Sequence, residues 1–144
     1  MSVAIVELIV LPKQKHYHPG EIHSCNLLIQ DSNGNPIPGQ KPTIVIYRTN
    51  DNKYLDFASG KFVSSGGQKY QILTEIRPGV YAWNFNQDKY DGPNRERTYK
   101  IVYENKGKYP GTAVQEVVYK WTKRNGVTPE PVGSEGIYEE SQID

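Results

Sequence analysis

The chain has 144 residues and a single cysteine, Cys25, so no internal disulfide can staple it and a disulfide-built secreted mini-domain is excluded. No apolar run approaches the roughly 18 residues needed to cross a bilayer as a helix, and no membrane partner is expected. The first residues lack a basic stretch followed by an apolar run and a small-residue cleavage site, so the expectation is a chain made in the cytoplasm. Charge of one sign is also lacking. Seventeen Lys and Arg stand against sixteen Asp and Glu, a net of +1 that argues against a dedicated nucleic-acid binder. G-x-S-x-G, H-E-x-x-H, the P-loop and the dinucleotide fingerprint are absent, so no enzyme and no cofactor are expected.

Good helix formers are scarce as well. There are four Ala and six Leu, against 24 Val and Ile, 11 Tyr and 7 Thr. Side chains that are stiff at χ1 pack well on a pleated surface and are crowded in a helix. Thirteen Gly and ten Pro are spread through the chain and interrupt any long helical stretch. The fold class is therefore all-β.

Strand-sized runs alternate with turn residues. Ser2–Leu11 is nearly all apolar and ends at Pro12. Ile22–Asp31 alternates, with Cys25, Leu27 and Ile29 on one face. Thr43–Arg48, Tyr54–Phe57, Lys69–Ile76, Val80–Asn86, Thr98–Tyr103 and Thr112–Trp121 follow. Within Lys69–Ile76, the apolar set Tyr70, Ile72 and Ile76 shares a face; Tyr81, Trp83 and Phe85 share one in the next run. Val114, Val117 and Tyr119 cannot share a face at a period of two, which predicts a bulge at Gln115-Glu116. Seven to nine strands at this spacing predict an antiparallel sandwich.

The two ends differ in charge. Residues 1–124 hold all 17 basic residues and 11 acidic ones, a net of +6. Residues 125–144 hold five acids, no Lys or Arg, two Pro and three Gly. This reads as an acidic C-terminal arm, extended or flexible, on a basic β-domain. Val132, Ile137, Tyr138 and Ile143 give the arm apolar anchors.

Each candidate chemistry has a plainer account. His16, His18 and His23 have spacing that could hold a metal ion, but no carboxylate or Cys completes the set. Asp31, Asn33 and Asn35 begin like a calcium loop, but Pro36 and Pro42 stand where glycine and an acid are required. Asp88, Asp91 and Asn94 follow no ligand spacing. Cys25 sits mid-strand among apolar neighbours and reads as core. Tyr17, Tyr54, Tyr90 and Tyr109 fall in loops or at strand ends, near Arg95, Arg97, Lys106 and Lys108. Tyr54, Tyr90, Arg95, Arg97 and Tyr109 are the surface-contact candidates.

Three turn motifs carry a resemblance over residues 15–121. Tyr17-His18-Pro19-Gly20-Glu21 leads into an alternating strand, Asp31-Ser32-Asn33-Gly34-Asn35-Pro36 links the next pair, and Pro78-Gly79-Val80-Tyr81 opens a late strand. The chain resembles the immunoglobulin-like β-sandwich modules of bacteria and phages. It lacks the Cys-Trp-Cys core of antibody domains and any tandem copy. The resemblance implies a structural protein of a tailed-phage virion (capsid decoration, neck, tail, fibre or baseplate). Its partners would be other virion proteins and copies of itself. Val3, Ile5 and Ile9 would then dock a strand, while Ile137, Tyr138, Glu139 and Glu140 reach the neighbouring copy. The alternative is a carbohydrate- or host-surface-binding module, which calls for an exposed Trp83 or clustered loop tyrosines.

Overall fold

The third strand shows how the sequence sets the architecture. From Ile22 to Asp31, every second residue (His23, Cys25, Leu27, Ile29) is buried and the intervening ones are partly wet. Burying Leu27 and Ile29 contributes about 1.5–3 kcal/mol each. In the computed structural model, residues 6–121 are described; they form eleven strands and one helical turn.

A four-stranded antiparallel sheet runs in the order β1 (Val6–Leu11), β3 (Ile22–Asp31), β9 (Val80–Asn86), β8 (Thr74–Arg77). A larger sheet runs β2 (His16–Tyr17), β11 (Gly111–Tyr119), β10 (Arg97–Asn105), β4 (Thr43–Arg48), β5 (Lys53–Asp56), β6 (Lys61–Val63). The short β7 (Gln71–Ile72) also pairs with β4. Every pairing is antiparallel except that of β2 with β11. Helix α1 is a single turn, Gln87–Tyr90, capped by the Asn86 side chain.

The core lies between the sheets. Cys25, Leu27, Ile29, Tyr81 and Phe85 face Ile44, Ile46, Tyr99, Ile101, Tyr103, Val117 and Tyr119. Its aromatic centre has Tyr17 stacked on Tyr119, and Phe85 edge-on to both Tyr99 and Tyr119. Trp83 sits half-buried against Phe57 and Tyr90.

Two expectations are corrected. The strand count exceeds nine because short strands β2 and β6 lie outside the expected runs, and because the run Lys69–Ile76 changes sheets at Leu73 and splits into β7 and β8. At that change Leu73 alone turns inward, its N–H bound to Pro42 O. Tyr70, Ile72 and Ile76, the apolar set of the alternating run, are exposed. A register shift between Glu75 and Arg77 leaves Ile76 outside. Finally, β11 has no bulge: it pairs with β10 without interruption from Gly111 to Tyr119. The phase is rescued by a polar residue. Gln115 takes the inward position, and Val114 faces solvent at 57% exposure.

Turns are fixed by backbone geometry in two places. Gly79 has φ +78° after Pro78, as a type II turn requires, and a Cβ there would lie 2.6 Å from Pro36 Cβ. Gly67 has φ +72°, and a Cβ would meet the Asp56 carboxylate at 2.4 Å. That carboxylate ties down the Ser64–Gln68 corner: it accepts from Gln68 N, Ala58 N and Ser59 Oγ, which hold its pKa below the usual range.

Candidate functional site

β11 is nine residues long, and its outward side is only partly covered. Val118 N donates to Lys15 O (2.7 Å) and Lys120 N to Tyr17 O (2.9 Å), so even-numbered residues direct their backbone groups outward. β2 covers only this end of the strand. Among the described residues, the outward N–H groups of Thr112, Val114 and Glu116 have no backbone partner. Beside them runs β1, itself the last strand of its sheet. The two free edges come close because Gly111 has no side chain; a Cβ there would lie 2.7 Å from Leu8 Cδ1. Between them lies a groove of about 410 Å³ whose lining is mixed: Leu8, Ile9, Val10, Ala113 and Val114 are joined by Lys13, Gln14, Gln115 and Glu116.

The floor of this edge is a buried polar cluster. Gln115 Nε2 donates to Pro12 O (3.1 Å), fastening the β1–β2 connection to β11. Its Oε1 accepts from Tyr103 Oη (2.9 Å) and from His23 Nε2 (3.1 Å). An amide oxygen only accepts, so His23 carries its proton on Nε2, and Nδ1 accepts from the Tyr17 hydroxyl at 2.6 Å. Burial pushes the His23 pKa down, opposed in part by the bond to Gln115. Burial likewise raises Tyr17, Tyr99, Tyr103 and Tyr119, and pushes the Cys25 thiol up to about 12. A thiol held neutral there is no nucleophile.

A second cluster fixes the loop after β9. The Asp91 side chain is 3% exposed; its two oxygens accept from Arg48 Nη1 and Tyr99 Oη, both at 2.5 Å. Arg97 Nε lies 3.4 Å away. Arg48 also holds Asp51 through two bonds, which raise its pKa and lower that of Asp51. Its guanidinium sits 4.6 Å above the Phe62 ring. Gln87, fully buried, accepts from Gly20 N and donates to Arg95 O and Tyr99 Oη.

Most surface-contact candidates therefore have local partners. Tyr90 stacks on Phe85, Arg97 belongs to the Asp91 cluster, and Arg95 is exposed on the same loop. Tyr54 donates to Gly66 O, with Lys69 Nζ 5.0 Å from its ring centre. Tyr109 is half-buried at the other end of β10, under Lys108. The five do not form one surface. Of the docking candidates, Ile9 lines the groove. Val3, Ile5, Ile137, Tyr138, Glu139 and Glu140 lie outside the described residues.

The metal candidates are dispersed. Both ring nitrogens of His23 are engaged, and His18 packs on Trp121. Asp31 closes an Asx turn with Asn33 N and Asn35 N, which lowers its pKa. Among the described residues no group of three His, Cys, Asp or Glu is placed to share an ion.

Sequence reasoning missed Ala113, Val114 and Glu116. The signal was there: an uninterrupted period of two through Val117 and Tyr119 puts Val114 outside. Compared with known proteins, the chain matches no family model and no curated protein.

Proposed function

We propose that the chain is a non-enzymatic structural protein of a tailed-phage virion (capsid decoration, neck, tail, fibre or baseplate) that works through protein–protein contacts along the β1/β11 edge. The observation that carries the contact reading is the run of outward N–H groups at Thr112, Val114 and Glu116 that have no backbone partner among the described residues, beside a groove of mixed apolar and polar lining. An unpaired ladder next to apolar surface is a template for another chain's strand.

The strand order supports an immunoglobulin-like sandwich of the variable type. In that arrangement β1-β3-β9-β8 stand as strands A-B-E-D, and β2-β11-β10-β4-β5-β6 as A′-G-F-C-C′-C″. This fold hosts many functions, so the virion assignment itself rests on the turn motifs at Tyr17–Glu21, Asp31–Pro36 and Pro78–Tyr81. The partners in this reading are other virion proteins and further copies of the chain.

The contact reading is tested by light scattering on the full chain at two concentrations, beside the Val114→Lys variant and a chain lacking residues 125–144. Mass should rise with concentration in the full chain and fall back in both variants. A single-chain mass for all three at both concentrations contradicts it.

A further inference from the structure

We infer that the open side of β11 is filled by residues 137–143 of a second copy, added as a strand beside Thr112, Val114 and Glu116. The inference rests on the assembly reading above and names its partner.

Two of the long edges described, β1 and β11, face the same groove, and the others are poor acceptors. β8 has four residues and a register shift, with Glu75 and Arg77 on it. β6 has three residues and β7 two. Short, bulged and charged edges resist pairing. Among the described residues, β11 has no bulge, and no strand pairs with its outward side from Thr112 to Glu116.

The donor follows from chemistry. Proline gives no N–H to a ladder, and glycine weakens one. Beyond Trp121, residues 137–144 are the only stretch longer than four without either. As a strand, Ile137 and Ile143 share a face, and roughly 20 Å separates them at the usual rise. The groove offers Leu8, Ile9, Val10, Ala113 and Val114 as apolar partners for that face.

Connectivity favours a second copy over closure within one chain. At Trp121 the chain leaves β11 beside β2, whose Lys15 and Tyr17 carbonyls already occupy the outward side at Val118 and Lys120. A direct hairpin back along the same strand is blocked. The sixteen residues from Trp121 to Ile137 reach up to roughly 50 Å when extended, enough to cross to a neighbour. Charge agrees. The donor carries Glu139 and Glu140, and the groove lining includes Lys13, exposed and without an ion pair among the described residues. Lys15, next along, pairs with Glu116 at 3.2 Å.

The test uses full-length chains in complementation. Val114→Pro disables the acceptor, removing an N–H that points away from β10 and so sparing the existing ladder. The double variant Glu139→Pro, Ser141→Pro disables the donor. Each alone should lose the mass of the assembled wild type and run as one chain, while an equimolar mixture recovers a mass of two. Val114→Lys repeats the acceptor arm with the backbone donor intact. A mixture that stays at one chain overturns the inference, since closure within one chain cannot be complemented. So does a donor variant that keeps the wild-type mass; the assembly reading then survives with a different partner segment. A wild type that is itself a single chain at every concentration removes both.

Discussion

His23 and Gln115 stand on opposite sheets, and their side chains meet across the core with Nε2 and Oε1 3.1 Å apart. This bond joins β3 to β11 directly behind the open edge. Through Gln115 Nε2 and Pro12 O it also holds the connection that leads to β2. The edge is thus backed by a polar frame that joins the two sheets.

Gln115→Leu removes the acceptor for His23 and Tyr103 together and frees Pro12 O. Leaving buried donors unmatched costs about 1–3 kcal/mol. Urea unfolding should show that loss as a lower midpoint with an unchanged slope. Equal midpoints for the variant and the wild type would remove the frame from the account.

Acid should weaken the fold through His23. Its folded pKa lies below the unfolded value of about 6.5, so the unfolded chain binds the proton first. Stability from this group is fully present above about pH 6.5 and is lost as pH falls towards the folded value. The groups facing it are Tyr17, Tyr103 and Gln115, with Cys25 close by on β3; none is charged at this pH. The difference in unfolding free energy between wild type and His23→Gln should shrink from pH 7.5 to pH 5. A constant difference would show that His23 does not titrate on unfolding.

Alkali should act in the opposite sense. Tyr17, Tyr81, Tyr99, Tyr103 and Tyr119 have folded pKa values raised chiefly by burial. Their stabilising contribution is present below the unfolded value of about 10 and is lost as pH rises beyond it. The rise in tyrosinate absorbance from these five rings should be late and coincide with loss of near-ultraviolet dichroism. A full rise with the fold intact would contradict the buried placement.

Much of this fold is legible in the sequence, and the illegible parts have physical causes. The alternation of β3 names its own core face, because three of its four inward residues, Cys25, Leu27 and Ile29, are apolar. β11 misleads, since its inward position at residue 115 is filled by a glutamine whose partners come from β10, β3 and the β1–β2 connection. Lys69–Ile76 misleads for another reason: its regular period ignores a change of sheet at Leu73 that only Pro42 reveals. The candidate site was half visible. Ile9 lies in an apolar run, but an open edge is a property of strand order, which no local pattern encodes.

Asp91→Ala should be among the most damaging single changes. It removes the buried carboxylate that accepts from Arg48 and Tyr99, at a cost of about 3–5 kcal/mol, and frees the loop carrying Tyr90, Arg95 and Arg97. Thermal unfolding measures it, and a loss below 1 kcal/mol would deny the cluster its anchoring role.

The central claim, that the outward side of β11 is the contact surface, is tested most directly by amide hydrogen exchange at Thr112, Val114 and Glu116 across a concentration series. The account predicts rapid exchange in dilute solution and protection that grows as mass rises, with Val118 and Lys120 protected throughout. Rising mass with those three amides still exchanging freely would place the contact elsewhere on the molecule.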